Sequence, residues 1–171
     1  MRKTGSAKIA VMAAMLLAMS PALAEDASVD EYRDDRSTGT ALITSLYNAI
    51  NRQEYLRAWS YFAHAADAKD PRADYEEFAS GYSDTQSVEL LTGPETSEGA
   101  AGSTYFTVPV AIDAVSSDGA HSQFAGCYTL RLAQPTVQAT PPFQPLHIES
   151  AHLEPAEGAL EDILPTSCEP E

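Results

Sequence analysis

The chain has 171 residues, with 10 Lys+Arg against 25 Asp+Glu, a formal net charge of −15 and 44% hydrophobic residues. That length suits a single domain able to bury a core. A surface this acidic repels nucleic acid and anionic lipid headgroups, which excludes DNA, RNA and phospholipid surfaces as expected partners.

Arg2, Lys3 and Lys8 precede an apolar run from Ile9 to Met19, which ends in Ser20-Pro21-Ala22-Leu23-Ala24. A basic start, a short apolar core and an A-x-A end predict a secretory signal peptide over residues 1–24, cleaved after Ala24. The run is shorter than the roughly 20 apolar residues needed to span a bilayer. No Cys stands at the cleavage point to carry a lipid, so no stable membrane anchor is expected after cleavage. Three basic residues and no acidic ones leave with the signal, so the remaining 147 residues carry 7 basic and 25 acidic groups, a balance of −18.

Residues 25–37 are polar and acidic and read as a flexible lead-in. Ser37 or Thr38 suits a helix N-cap. From Thr40 to His64 the pattern predicts two helices broken at Asn51-Arg52-Gln53. Leu42, Ile43, Leu46, Ala49 and Ile50 form one apolar stripe; Tyr55, Trp59 and Phe62, at i, i+4 and i+7, form a second. A third, short helix is expected over Arg72–Ser80, with Asp70 as N-cap, Pro71 at its start and Gly81 at its stop. Its apolar face carries Tyr75, Phe78 and Tyr82.

From Thr85 the period changes to two. Val88 and Leu90 mark a first strand, and Gly93-Pro94 and Ser97–Gly102 are turn chemistry. Phe106, Val108, Val110 and Ile112 share one face of a strand over Ser103–Val115. Ser117-Asp118-Gly119 is a hairpin signal. Phe124, Tyr128, Leu130 and Leu132 share one face of a strand over His121–Ala133. A Pro-rich loop, Gln134–Pro145, precedes a last strand over Leu146–Leu153. There Leu153 is out of phase with Leu146 and Ile148, which predicts a bulge or a frayed end near Ser150. Helices followed by strands give an α+β domain over residues 38–155, three helices on one face of a curved antiparallel sheet of about four strands. Residues 156–171 form a tail. Trp59 and Phe62 are expected against the sheet face bearing Phe106, Val108, Val110, Phe124 and Leu130.

YNAINRQEYLRAWSYF, a short helix ending FASGY, and the strands YFTVPV, FAGCYTLRL and PLHIESAHL together resemble the nuclear transport factor 2-like superfamily over about Thr40 to Leu153. The resemblance implies a cone, in which a curved sheet wraps around helices and leaves a pocket at its wide end. It is nearest in kind to small exported members from Gram-negative bacteria, which implies a periplasmic or secreted location. The superfamily holds ketosteroid isomerases, dehydratases, polyketide cyclases, transport adaptors and non-enzymatic modules, so the fold does not fix the activity. One departure is that the third helix leads almost directly into the first strand, where members often carry an extra strand hairpin.

Tyr47, Tyr55, Trp59, Tyr61 and Tyr128 are the candidates to line a pocket for an apolar or aromatic small molecule, although aromatics at helical spacing usually build core. His64 and Ser150 are the polar candidates beside them. A proton-transfer enzyme needs a carboxylate or imidazole facing in. By strand alternation Glu89, Asp113 and Glu149 all face away. His121, His147 and His152 lack the spacing of a metal site, so neither metal nor cofactor is expected. The favoured reading is a non-catalytic exported module binding a small apolar ligand or an envelope protein partner. The alternative is an enzyme of the isomerase, dehydratase or cyclase kind.

Cys127 and Cys168 form an even pair in an oxidising compartment, which suggests one disulfide, and the absence of C-x-x-C argues against redox catalysis. Cys127 falls on the outer sheet face among Ala125, Thr129, Thr107 and Ala111. The bond would lay the tail, with Leu160, Ile163 and Leu164, over that face. Related folds often dimerise through the open face, so a latched tail implies a monomer.

Overall fold

The computed structural model describes residues 31–64 and 70–168. The expected signal peptide lies outside them. The fold is α+β, with four helices and a five-stranded open antiparallel sheet. The helices are α1 (Gly39–Asn51), α2 (Tyr55–Trp59), α3 (Pro71–Gly81) and α4 (Leu160–Ile163); the strands are β1 (Thr85–Thr92), β2 (Thr96–Ala100), β3 (Ser103–Ser116), β4 (His121–Ala133) and β5 (His147–Ala156). No helix among the described residues is long and apolar enough to cross a membrane.

The strand order is β1-β3-β4-β5, and β2 also pairs with β3. β1 takes the Val110 to Ser116 part of β3 and β2 takes Ser103 to Thr107. The two are therefore one edge, interrupted at Gly93 to Glu95. Residues 97–102, expected as a turn, are thus largely paired. The segment Thr96–Ala100 is exposed along its length and its ladder bonds are backbone bonds, so no hydrophobic alternation marks it.

Nine of the 13 residues of α1 are buried, which means that this helix is covered on more than its apolar stripe. Leu42, Ile43, Leu46, Ala49 and Ile50 pack in one core with Val88, Val108, Val110, Ile112, Leu130 and Ile148. Each fully buried Leu, Ile or Val contributes roughly 1.5–3 kcal/mol. Thr38 caps the helix, its Oγ1 accepting from Ala41 N at 3.0 Å. Glu95 adds a charge-assisted cap, accepting from Thr40 N at 2.7 Å and Thr40 Oγ1 at 3.0 Å. Gly39 allows this approach, since a Cβ there would lie 3.1 Å from Val108 Cγ2 and 3.2 Å from Phe106 Cβ.

Ser45 and Asn48 are buried too, and their polar groups are met by the segment before α1. Asp35 N donates to Ser45 Oγ at 2.8 Å, Arg33 N donates to Asn48 Oδ1 at 3.0 Å, and Asn48 Nδ2 donates to Glu31 O at 2.9 Å. Residues 31–37, expected as part of a flexible lead-in, are a hydrogen-bonded strap along α1. Composition reads the charges of this segment and misses its backbone donors and acceptors.

α1 ends in a Schellman pattern. Gln53 N donates to Ile50 O and Glu54 N to Ala49 O, both at 2.8 Å, with Gln53 at φ 57°. The expected break therefore falls in place. The second helix is shorter than expected, because α2 stops at Trp59. The chain then leaves the helix, and Phe62 forms a parallel bridge with Ile148. Ile148 N donates to Tyr61 O at 2.7 Å and Ala63 N to Ile148 O at 2.8 Å. This exit turns Phe62 toward the core and Trp59 away from it. Trp59 is half-buried against Phe78 and Tyr75 of α3, with ring centroids 5.2 and 6.4 Å away, and not against the sheet as expected.

β5 carries the expected bulge. Thr129 pairs with Ser150 and Leu130 with Ile148, leaving Glu149 over. The shift returns Leu153 to the core side. It also puts Ser150 on the outer face, where it is exposed, and not in the helix–sheet interior where it was expected. On that outer face Cys127 and Cys168 are joined, with Cα atoms 6.0 Å apart and a sequence separation of 41. Pro109 and Ala111 are buried on the same face. Closing a loop of this length stabilises by roughly 3–4 kcal/mol in the chain-entropy description.

The αL position at Gln53 generates a first prediction. Gln53→Gly removes the left-handed penalty and should raise stability by about 0.5–1 kcal/mol. Urea unfolding checks it, and a loss of stability would contradict the Schellman assignment.

Candidate functional site

Three of the predicted pocket aromatics are core. Tyr61 is fully buried, Tyr47 is 4% exposed and Tyr128 3%. Tyr47, from α1, and Tyr128, from β4, meet with their hydroxyls 2.8 Å apart and their rings edge to face at 6.4 Å. Burial pushes both phenols well above the ordinary tyrosine range, each through the loss of water around a phenolate. The helix–sheet interior is therefore filled by a phenol pair.

Tyr61 reaches the polar strap. Its hydroxyl donates to Asp34 Oδ1 at 2.9 Å and accepts from Arg57 Nη1 at 3.2 Å. Burial raises its pKa, with the guanidinium working against the rise. The rest of Arg57 is spent on structure: Nε donates to Glu54 Oε2 at 2.6 Å and Nη2 to Asn48 Oδ1 at 2.9 Å. The cation also lies 4.6 Å over the Tyr32 ring. This hub ties the strap, α1 and α2 together.

Tyr55 belongs to the packing of α2 on α3. Its hydroxyl donates to Tyr82 O at 3.1 Å and its ring stacks on Tyr82 at 6.3 Å.

Trp59 and His64 remain, and the structure brings them together. Their rings stack with centroids 4.2 Å apart and 30° between planes. They line an open cleft of about 400 Å³ with Ala63, Pro71, Asp74, Glu77 and Phe78. The end of α2 supplies one wall and α3 the other. Pro71 at N1 and the Asp70 side chain, which accepts from Arg72 N and Ala73 N at 3.1 Å, start α3 in register. That register aims Phe78 at Trp59. Asp74, Glu77 and Pro71 were not legible as site residues. Phe78 was legible as an apolar position, but its partner depends on how a connecting loop folds back.

The strand carboxylates lie elsewhere. Asp113 is on the outer side of β3, with Oδ2 2.9 Å from His121 Nδ1. It pairs in register with Glu89 and Gln123. Glu149 sits in the bulge, 3.3 Å from His147 Nε2 and 3.9 Å from Arg131 Nη1. His121 and Asp113 flank a second cleft of about 660 Å³ with Phe124, Pro155 and Glu157. The imidazole there is 62% exposed, so a substrate proton would be handled in water and not in a desolvated site. A third cleft, of about 360 Å³, lies between α1, β1 and the strap. Asn51 fills its floor by clasping Val88, Nδ2 donating to Val88 O at 2.9 Å and Oδ1 accepting from Val88 N at 2.7 Å. Among the described residues no three His, Cys, Asp or Glu side chains gather as metal ligands.

No protein-family model, no curated protein and no solved structure matches this chain. The likeness to the nuclear transport factor 2-like superfamily thus stands on the sequence pattern quoted above.

The phenol pair generates two predictions. Tyr47→Phe or Tyr128→Phe strands one buried hydroxyl and should cost about 1–3 kcal/mol, whereas the double change removes both partners and should cost no more than either single one. A double variant showing the full sum in urea unfolding would mean that the two hydroxyls are not coupled. The second concerns alkali. The unfolded chain loses tyrosine protons near pH 10, roughly the free value, while the folded chain holds these two to higher pH. Their contribution is therefore fully present below about pH 10 and is lost as pH rises beyond it. Stability should fall more steeply there in the parent protein than in the double Phe variant; equal slopes would contradict the shifts.

Proposed function

We propose that this chain is an exported, non-catalytic binding module of nuclear transport factor 2-like kind, acting in the periplasm or outside the cell as a monomer. Its ligand is a small apolar or aromatic molecule, held in the cleft between α2 and α3. The observation that carries this reading is the contrast between two places. The helix–sheet interior, where such a fold would keep an acid or base, is closed by Tyr47, Tyr61 and Tyr128. The α2–α3 cleft is open and walled by Trp59 and Phe78. Rings of this size supply large contact area at low entropic cost. The tail bonded at Cys127 covers part of the outer sheet face, which supports the monomer reading.

Native mass spectrometry of protein taken from its own envelope fraction tests both parts. The expected species begins at Glu25 and carries a non-covalent small molecule, lost in Trp59→Ala. Retention of Met1 would overturn export. An adduct that survives Trp59→Ala would place the ligand elsewhere. Because Trp59 is half-buried, that substitution should cost less than the roughly 3–5 kcal/mol of a fully buried aromatic, so the variant should fold.

A further inference from the structure

Among the described residues, polar and covalent links fasten the tail to the sheet only near its two ends. At its start Gly158 N donates to Gln123 Oε1 of β4 at 3.0 Å. At its end Cys168 is bonded to Cys127, also of β4. Between them lies α4, four residues long, whose amides bond within the tail: Asp162 N and Ile163 N donate to Ala159 O, and Leu164 N to Leu160 O. A helix this short does not hold itself in water. Leu160 is buried, Ile163 and Leu164 are half-buried, and Glu157, Glu161 and Asp162 are exposed. One buried leucine and two half-buried residues do not offset the entropy of ordering about ten residues. None of these tail residues belongs to the core that α1 and the sheet build. The surface beneath the tail is apolar, with Pro109 and Ala111 of β3 buried and Pro165 O within 3.6 Å of where a Gly93 Cβ would stand. Cys127 and Cys168 are both half-buried, so a thiol in solution reaches the bond.

We propose that the Cys127–Cys168 bond is a redox-sensitive latch. Oxidised, it holds the tail over the outer sheet face; reduced, it frees residues 157–168 and bares Pro109 and Ala111 while the domain stays folded. The reductant is a dithiol. One of its thiolates attacks a sulfur of the bond and forms a mixed disulfide, and the other cysteine leaves as a thiolate and takes a proton. The second thiol of the reagent then closes on the mixed disulfide and releases the remaining cysteine. The dithiol gives up two electrons and two protons, and both cysteines become thiols. The tail is the two-state element, docked or free, and the bond biases it. A bond that stapled the fold would join two elements of the core; this one joins β4 to a segment outside it. The monomer reading then belongs to the oxidised form. The inference concerns the outer face and does not depend on the α2–α3 cleft as a binding site.

Dithiothreitol is the probe, and the Cys127→Ser/Cys168→Ser variant supplies a chain in which the bond cannot form. Thiol titration follows the bond, and amide NMR spectra of the folded protein follow tail and core separately. Millimolar dithiothreitol should release both thiols without denaturant. The amides of Asp162, Ile163 and Leu164 should then move to unstructured positions and lose at least about tenfold of their exchange protection, while the peaks of α1 and β1 stay in place. The variant should reproduce the reduced spectrum. If the tail amides keep their positions and protection with both thiols free, or in the variant, the tail docks unaided and the proposal falls. If the peaks of α1 and β1 are lost together with those of the tail, the bond is a staple of the whole fold and the proposal falls. If dithiothreitol reduces the bond in urea and leaves it intact in the folded protein, the bond is closed to dithiols and the proposal falls.

Discussion

Glu95 holds the N-terminus of α1 at the gap in the edge of the sheet, and the remaining architecture follows from where that puts the helix. The gap lies between β1 and β2, at Gly93-Pro94-Glu95, so the carboxylate leaves the ladder and points at Thr40. A negative charge at a helix N-terminus is favourable, and here it doubles as an anchor to the sheet. Gly39 brings the first turn within side-chain contact of Phe106 and Val108. α1 runs across β3 to β1, where Asn51 meets Val88, and the long Tyr47 side chain reaches Tyr128 of β4.

A helix set that deep cannot leave its far side bare. Ser45 and Asn48 lie under the segment 31–37, and a buried hydroxyl or amide without partners costs free energy comparable to a lost hydrogen bond. The strap supplies those partners from its backbone, and Arg57 closes the arrangement from below. No buried side-chain polar atom is left unpaired among the described residues. The sheet is treated alike on its other side. Val108 to Ile112 are buried without interruption, which a one-sided sheet would not show. The helices cover the even positions, and the tail bonded at Cys127 lies over the odd ones.

Which features were legible in the sequence follows from what kind of interaction makes each. The long strands and α1 were readable because side-chain periodicity builds them. The bulge in β5 was readable because Leu153 broke phase with Ile148. The pairing of Cys127 with Cys168 was readable because the chain offers no other pair. β2, the strap and the early end of α2 were not readable, since backbone hydrogen bonds decide all three. The site shows the same division. Tyr47, Tyr61 and Tyr128 were chosen for their aromaticity, which cannot distinguish a ring that lines a pocket from one that fills it. Trp59 and His64 were named as separate pocket candidates, and the sheet was assigned as the cover of Trp59 and Phe62. The wall Trp59 and His64 have is α3, and that choice turns on the path between His64 and Asp70.

The short α2 is what moves the accessible surface from the interior to the rim. Had the helix run on to His64, Trp59 and Phe62 would have shared one stripe and gone into the core together. Ending it at Trp59 lets the next residues bridge to Ile148, so that Tyr61 and Phe62 turn inward while Trp59 stays with α3. The core loses an indole, and Tyr61 takes a buried place with its hydroxyl held by Asp34 and Arg57. The half-buried indole joins α2 to α3, its ring 5.2 Å from Phe78 and 6.4 Å from Tyr75.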